Sequence, residues 1–87
     1  MIYRRNPTVV FQPVEDRLMM MNPERAEFVT LTESGAEVWH ALATPGSCDD
    51  VVDRLRIEYP DADPNQMRAD IDVLLGKLEA AGAILPI

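Results

Sequence analysis

The spacing of hydrophobic residues along the chain changes near Thr32. Before that residue, apolar and β-branched side chains cluster in short runs bounded by proline and turn residues, which is typical of β-strands. After it, apolar residues recur every three or four positions, which is typical of amphipathic helices. The chain is therefore predicted to place a small β-sheet before a group of helices.

Three short strands are predicted in the first part of the chain. They are residues 8–12, residues 17–21 and residues 27–31. Pro7 and Pro13 bound the first strand, which suits a sheet edge, and an Asn-Pro turn signal precedes the third. Leucine and methionine favour helices, so the extended state of residues 17–21 stays open at this point. Strands joined by such tight turns predict an antiparallel meander.

Two helices are predicted next. The first covers residues 33–43 with Thr32 as its N-cap, and the second opens with a capping box of Ser47 and Asp50 and ends before Pro60. The side chains predicted to be buried are Ala36, Trp39, Leu42 and Ala43 on the first helix, and Val52, Leu55 and Tyr59 on the second.

A third helix has the clearest start signal, with Asp63 as N-cap, Pro64 at its first position and Gln66 placed to reach back to the cap. It is predicted to bury Met67, Ile71, Leu74 and Leu78. Gly76 lies on the opposite face, and Gly82 is predicted to terminate the helix as its C′ residue.

The predicted fold is one α+β domain over residues 1–87, with a sheet part at residues 1–31 and a three-helix part at residues 32–87. A three-stranded antiparallel sheet followed by three helices is a winged helix-turn-helix layout. The apolar tail at residues 83–87 either extends a wing or packs back on the core.

Composition supports a globular domain in the cytoplasm. Apolar residues make up 47% of the 87 positions, yet no run approaches the roughly 20 apolar residues that span a bilayer. No apolar segment of a secretory signal follows the first basic residues. The single cysteine, Cys48, excludes an intrachain disulfide and suits a reducing compartment.

Charge is unevenly distributed. Residues 1–31 carry four basic and four acidic side chains, whereas residues 32–87 carry four basic and eleven acidic ones. The net charge of -7 therefore lies entirely in the predicted helical part. Because such a surface repels a phosphate backbone, nucleic acid is not an expected partner.

No pattern in the chain indicates a catalytic, metal or cofactor site. The sequence lacks a Gly-rich phosphate loop, a nucleophile elbow and a zinc motif. His40 has no other ligand at metal-binding spacing, and Cys48 lacks the sequence context of a nucleophile. The acidic residues at 49–53 and 61–63 lack the spaced ligands of an EF-hand.

A set of residues carries a family resemblance. It comprises Leu31 and Thr32, then Gly35, Ala36, Val38, Trp39 and Leu42, then Gly46, Val51, Val52, Leu55 and Tyr59, then Asp63, Pro64, Asp70, Ile71, Leu74, Leu75, Leu78 and Gly82. In this pattern the chain resembles the peptide chaperones of the pyrroloquinoline quinone biosynthesis protein D family. These are also called recognition elements for ribosomally made, post-translationally modified peptides, and include stand-alone members of lasso-peptide synthesis.

The resemblance implies three strands followed by three helices and a non-catalytic protein. Such a protein captures the leader of a precursor peptide and presents it to a modifying enzyme. That enzyme would be a radical S-adenosylmethionine protein, or a leader-cleaving cysteine protease acting with an ATP-dependent cyclase. Thr32 replaces the asparagine of many members, and residues 17–21 are rich in methionine, so the subfamily stays open.

The resemblance also implies that the leader adds as a strand beside the third predicted strand, in a groove next to the third helix. The strand's residues are Glu27, Phe28, Val29, Thr30 and Leu31. Independently, an open strand edge offers unpaired backbone groups to an extended peptide. Val29 and Leu31 are predicted to face the core and Phe28 and Thr30 the opposite side, because side chains alternate along a strand.

On the third helix, three residues are predicted to face the leader. Leu75 would form the floor of an apolar pocket, Arg68 would pair with an acidic leader residue, and Asp72 with a basic one. Phe28 and Leu75 also suit positions that are partly in the core.

Two other classes of function fit the sequence less well. A winged-helix DNA-binding regulator would share the layout, yet residues 65–81 carry Arg68 and Lys77 against three acidic residues. An enzyme is the weaker alternative, because it needs convergent titratable groups that the sequence does not indicate.

Overall fold

The computed structural model describes all 87 residues. The strands are β1 (Ile2–Arg5), β2 (Val10–Val14), β3 (Arg17–Asn22), β4 (Glu27–Leu31), β5 (Gly46–Ser47) and β6 (Ile84–Pro86), and the helices are α1 (Glu33–Ala41), α2 (Cys48–Arg56) and α3 (Pro64–Ala80). None of these helices has the length and apolar content required to span a membrane.

The predicted three-stranded meander is present, in the order β2-β3-β4. β3 is extended despite its leucine and methionine content, and it pairs with β4 from Leu18 opposite Leu31 to Asn22 opposite Glu27. β2 begins two residues later than predicted and includes Pro13. Proline is tolerated there because β2 forms an edge of the sheet.

A second sheet, in the order β5-β1-β6, was not predicted. Ile2 pairs with Ser47, and Arg5 pairs with Ile84. The apolar tail therefore contributes a strand and also packs in the core, where Ile84 is 0% exposed. β5 and β6 lie beyond residue 31, so the part of the chain that holds the three helices also contributes two short strands.

The three predicted helices are all present, and their capping is confirmed in part. Ser47 and Asp50 form the predicted capping box, with each backbone N–H donating to the other residue's side chain at 2.9 and 3.1 Å. The Asp63 carboxylate accepts from the Asn65 N–H, but the Gln66 amide donates to Asp70 instead of reaching back. At α1, Thr32 occupies the N-cap position without a side-chain hydrogen bond.

The core lies between the two sheets and the helices, and Trp39 is 1% exposed within it. Its 15 members are Val9, Leu18, Met20, Leu31, Val38, Trp39, Leu42, Val51, Val52, Leu55, Ile71, Leu75, Leu78, Ala83 and Ile84. Two residues predicted to be buried are not, because α1 ends before Ala43 and α2 ends before Tyr59. Both side chains are exposed.

Gly82 terminates α3 as predicted, with a positive φ of 74°. The Gly82 N–H donates to the Glu79 carbonyl and the Ala83 N–H to the Leu78 carbonyl, which is the bonding of a Schellman motif. The Gly82 carbonyl accepts from the buried side-chain amides of Asn6 at 2.9 Å and Asn22 at 3.4 Å. The end of α3 is thus tied to both sheets.

Arg5 forms a second connection between the sheets. Its guanidinium lies 4.7 Å from the ring centre of Trp39 and 5.3 Å from that of Phe11 on β2. Nε and Nη2 of Arg5 both donate to the Trp39 backbone carbonyl. Burial lowers the pKa of Arg5 from its ordinary value.

The Gly82→Ala variant is expected to be less stable than the parent chain by more than about 1 kcal/mol, because a Cβ in the left-handed region is strained. That Cβ would also lie 2.6 Å from Asn22 Nδ2. Urea denaturation followed by Trp39 fluorescence measures the loss.

The matched control is Gly76→Ala within α3, where a Cβ meets nothing within 4 Å. It is expected to raise stability by about 0.5–1 kcal/mol, since alanine favours a helix. Equal stability of the two variants would contradict the role assigned to Gly82.

Candidate functional site

The free edge of β4 is the first component of the site. β4 lies at the end of the β2-β3-β4 sheet, and its only strand partner is β3. Alternate N–H and C=O groups on its other side are therefore available to an added strand. The predicted alternation is confirmed, since Leu31 is buried and Val29 half-buried, whereas Phe28 and Thr30 are exposed.

A groove of about 280 Å³ runs between the β4 edge and α3. Its lining residues are Val29, Thr30, Leu31, Thr32, Ser34, Gly35, Leu74, Lys77 and Leu78. Gly35 permits the close approach of α1 and β4, because a Cβ there would lie 3.2 Å from the Leu31 side chain. The groove therefore combines an apolar floor with one cationic residue, Lys77.

A second cleft of about 300 Å³ continues from Ser34 toward the start of α3. Leu55 and Met67 supply apolar surface there, and its carboxylates are Glu37, Asp63 and Asp70. The Tyr59 hydroxyl donates to Glu37, and this hydrogen bond is the main cause that raises the pKa of Tyr59 to about 12. The two clefts share Ser34, and they differ in character, since the first is mainly apolar with one lysine and the second carries three carboxylates.

The structure corrects which face of α3 lies beside β4. Leu75, predicted to form the groove floor, is 1% exposed within the core, and Leu74 lines the groove instead. Leu74 and Arg68 lie about 120° apart around the helix. Because β4 packs beside the Leu74 side, Arg68 is directed away from the groove.

Arg68 and Asp72 instead face α2 and β1. Arg68 Nη2 lies 2.9 Å from Asp49 Oδ1, with both side chains more than half exposed. Burial and the charges of Glu79 and Asp72 raise the pKa of Tyr3 on β1. The geometry therefore gives Arg68 and Asp72 no place in the groove.

Sequence reasoning missed Leu74 and Lys77 as groove residues. Leu74 was assigned to the buried stripe, and Lys77 belongs to no apolar pattern. The sequence did contain one signal for Leu74. It lies at the edge of the apolar stripe of the helix, next to the polar face, where a residue is half-buried and can line a groove.

The remaining reactive side chains do not converge. Cys48 is half-buried, and burial, followed by the charges of Asp72 and Asp49, raises the pKa of its thiol. Its Sγ lies 3.8 Å from the Arg68 carbonyl oxygen. No group of three or more His, Cys, Asp or Glu side chains is arranged to hold a metal ion.

Sequence comparison identifies a related family. The profile of the family described as "Coenzyme PQQ synthesis protein D (PqqD)" matches residues 17–84. A search of curated proteins gave no match.

Two solved structures share the fold. One is described as "TbiB1 in Complex with the TbiA(beta) Leader Peptide", with a TM-score of 0.83 and 18% identity over 97% of this chain and 96% of that one. The other is "Lasso peptide synthetase B1 complexed with the leader peptide", with a TM-score of 0.79 and 23% identity over 97% of this chain and 98% of that one. Both structural matches cover 97% of this chain, so the shared fold includes both sheets and all three helices.

Replacing Leu75 by alanine is expected to destabilise the chain by about 2–5 kcal/mol, because the side chain is fully buried. The Arg68→Ala variant removes only an exposed ion pair and is expected to cost at most about 1 kcal/mol. Urea denaturation distinguishes the two, and a Leu75→Ala variant as stable as the parent would contradict its place in the core.

The Glu37→Gln variant is expected to move the pKa of Tyr59 from about 12 toward its ordinary value of 10.0, because a neutral amide removes the acceptor charge. Ultraviolet absorbance of tyrosinate during an alkaline titration measures this change. Since the folded pKa is the higher one, the stabilisation from this pair is complete below about pH 10 and is lost as the pH rises through about 12. A titration that is identical in both proteins would contradict the contact.

Proposed function

This chain belongs to the coenzyme PQQ synthesis protein D family, and we propose that it is a non-catalytic protein that binds the leader of a ribosomally made precursor peptide. The leader adds as a strand to the free edge of β4 and lies along the groove beside α3. The observation that carries the proposal is the juxtaposition of an unpaired strand edge with a mainly apolar groove.

The backbone supplies the first part of the affinity. Residues Glu27–Leu31 form the exposed edge strand, so an extended leader gains main-chain hydrogen bonds without disturbing β3. A flexible leader loses conformational entropy when it becomes a strand, whereas β4 is already extended before binding. The rigid partner therefore limits the entropy cost to the peptide.

The groove supplies selectivity. Leader side chains that point toward α3 meet Val29 and Leu74, and an acidic leader residue would pair with Lys77. A basic residue at the other end of the bound segment would meet Glu37, Asp63 and Asp70. The complementary leader is therefore apolar in its middle and carries opposite charges toward its ends.

The protein acts by affinity, and the chemistry belongs to its partner. Binding the leader holds the attached core peptide at high effective concentration near a modifying enzyme. Both structures described above were solved with leader peptides, which supports leader binding here and favours a lasso-type pathway with a leader peptidase and an ATP-dependent cyclase. A radical S-adenosylmethionine protein is the corresponding partner in a quinone-cofactor pathway. The free thiol of Cys48 suits work in the cytoplasm.

The test uses two fluorescein-labelled peptides, the leader of a precursor encoded beside this chain and the TbiA(β) leader. Fluorescence polarisation is expected to show saturable binding of the first. Amide spectra of the labelled protein are expected to show perturbation and slowed hydrogen exchange at alternate residues of Glu27–Leu31. If neither peptide changes the amide signals of β4, the proposed binding edge is rejected.

Variants locate the groove. Leu74→Asp and Lys77→Glu are each expected to weaken leader binding by about tenfold or more, because one charges an apolar wall and the other reverses a complementary charge. The control is Arg68→Glu on the opposite flank of α3, which is expected to leave affinity within about twofold. Loss of binding in the Arg68 variant alone would move the site to the other flank.

A further inference from the structure

The outer face of the β2-β3-β4 sheet carries an apolar row that does not belong to the groove. Val10 pairs with Met21, and Met21 pairs with Phe28, so the three side chains lie side by side across the sheet. Val10 is 60% exposed and Phe28 is 69% exposed. We refer to these three residues as the outer row. Such a contiguous exposed apolar surface is typical of an interaction site.

The outer row ends at the free edge of β4. Phe28 is its last member, and a shallow cavity of about 370 Å³ lies over the face. The neighbouring row, with Gln12 opposite Met19 and Met19 opposite Thr30, is more polar. On the outer face, a strand added beside β4 would therefore contact apolar Phe28 and, two residues further along, polar Thr30.

The pleat of a strand determines where leader side chains go. Alternate residues of a strand paired with β4 point toward the groove, and the residues between them point to the outer face. Paired residues on one face have Cβ atoms about 4.5–5.5 Å apart. One leader side chain would therefore lie beside Phe28 and extend the outer row to a fourth strand.

We propose that side chains on both faces of the bound leader strand determine its affinity, and that an aliphatic or aromatic leader residue lies beside Phe28 on the outer face. This inference rests on the proposed function. The preferred peptide thus carries an outward apolar anchor between its groove-facing apolar residues. A charged residue at that position would be brought against an apolar surface and would lose part of its hydration. A residue beside Thr30 experiences no such restriction.

A second copy of the chain is the alternative occupant of this face. Each molecule carries a net charge of -7, but this charge lies in residues 32–87 and not in the sheet that bears the outer row. The leader is the occupant argued for because the outer row ends at the free edge of β4, where an added strand would continue it.

The experiment is a double-mutant cycle between Phe28 and the leader encoded beside this chain. Each leader position is replaced in turn by serine, and each peptide is titrated by fluorescence polarisation against the parent protein and Phe28→Ser. One position is expected to lose roughly two- to fivefold in affinity with the parent and almost nothing with Phe28→Ser. This leader position is expected to lie an odd number of residues from the positions that face the groove. Serine at a groove-facing position is expected to weaken binding equally in the parent protein and in Phe28→Ser.

Two further variants serve as controls. Phe28→Leu keeps an apolar surface and is expected to restore binding, while Val14→Ser changes the same face two strands from the edge and is expected to leave affinity unchanged. Far-ultraviolet circular dichroism checks that each variant is folded.

The outcomes separate the two proposals. Binding of the leader that is equal for parent and Phe28→Ser overturns the outer anchor and leaves the proposed function intact. Absence of binding, with unperturbed β4 amides, overturns both. A change from dimer to monomer in Phe28→Ser, measured by light scattering, would assign the face to a second copy and reject the anchor.

Discussion

The carbonyl oxygen of Gly82 accepts hydrogen bonds from two buried amides, and this contact joins the end of α3 to both sheets. Asn6 follows β1, and Asn22 ends β3 opposite the first residue of β4. Both sheets are thereby fixed to the last turn of α3. Gly82 has a positive φ, so the Schellman motif that ends the helix also places the carbonyl group that the two asparagines bind.

Local patterns in the sequence predicted the meander and the three helices because their signals lie within a few residues of one another. The capping box at Ser47 and Asp50 is an example, since both partners belong to one turn. The second sheet could not be predicted in the same way. Its pairs join Ile2 to Ser47 and Arg5 to Ile84, and its strands have only two to four residues. No local periodicity specifies such distant partners.

The candidate site was predictable on its strand side and less so on its helix side. Alternation along β4 correctly separated Val29 and Leu31 from Phe28 and Thr30. On α3, the adjacent residues Leu74 and Leu75 both suit a buried stripe, and only tertiary packing decides which is central. Leu75 took the core and Leu74 the rim. Which flank of the stripe lies beside β4 is also decided by packing, and the groove is lined by the Leu74 flank and not by the flank of Arg68 and Asp72.

The packing of Arg5 against Phe11 and Trp39, which themselves meet edge to face, has a consequence for the connection between the two sheets. A guanidinium keeps its charge across the ordinary acid and neutral range, and neither an aromatic ring nor a peptide carbonyl takes up a proton there. The Arg5 contact that joins the two sheets is therefore expected to persist on acidification.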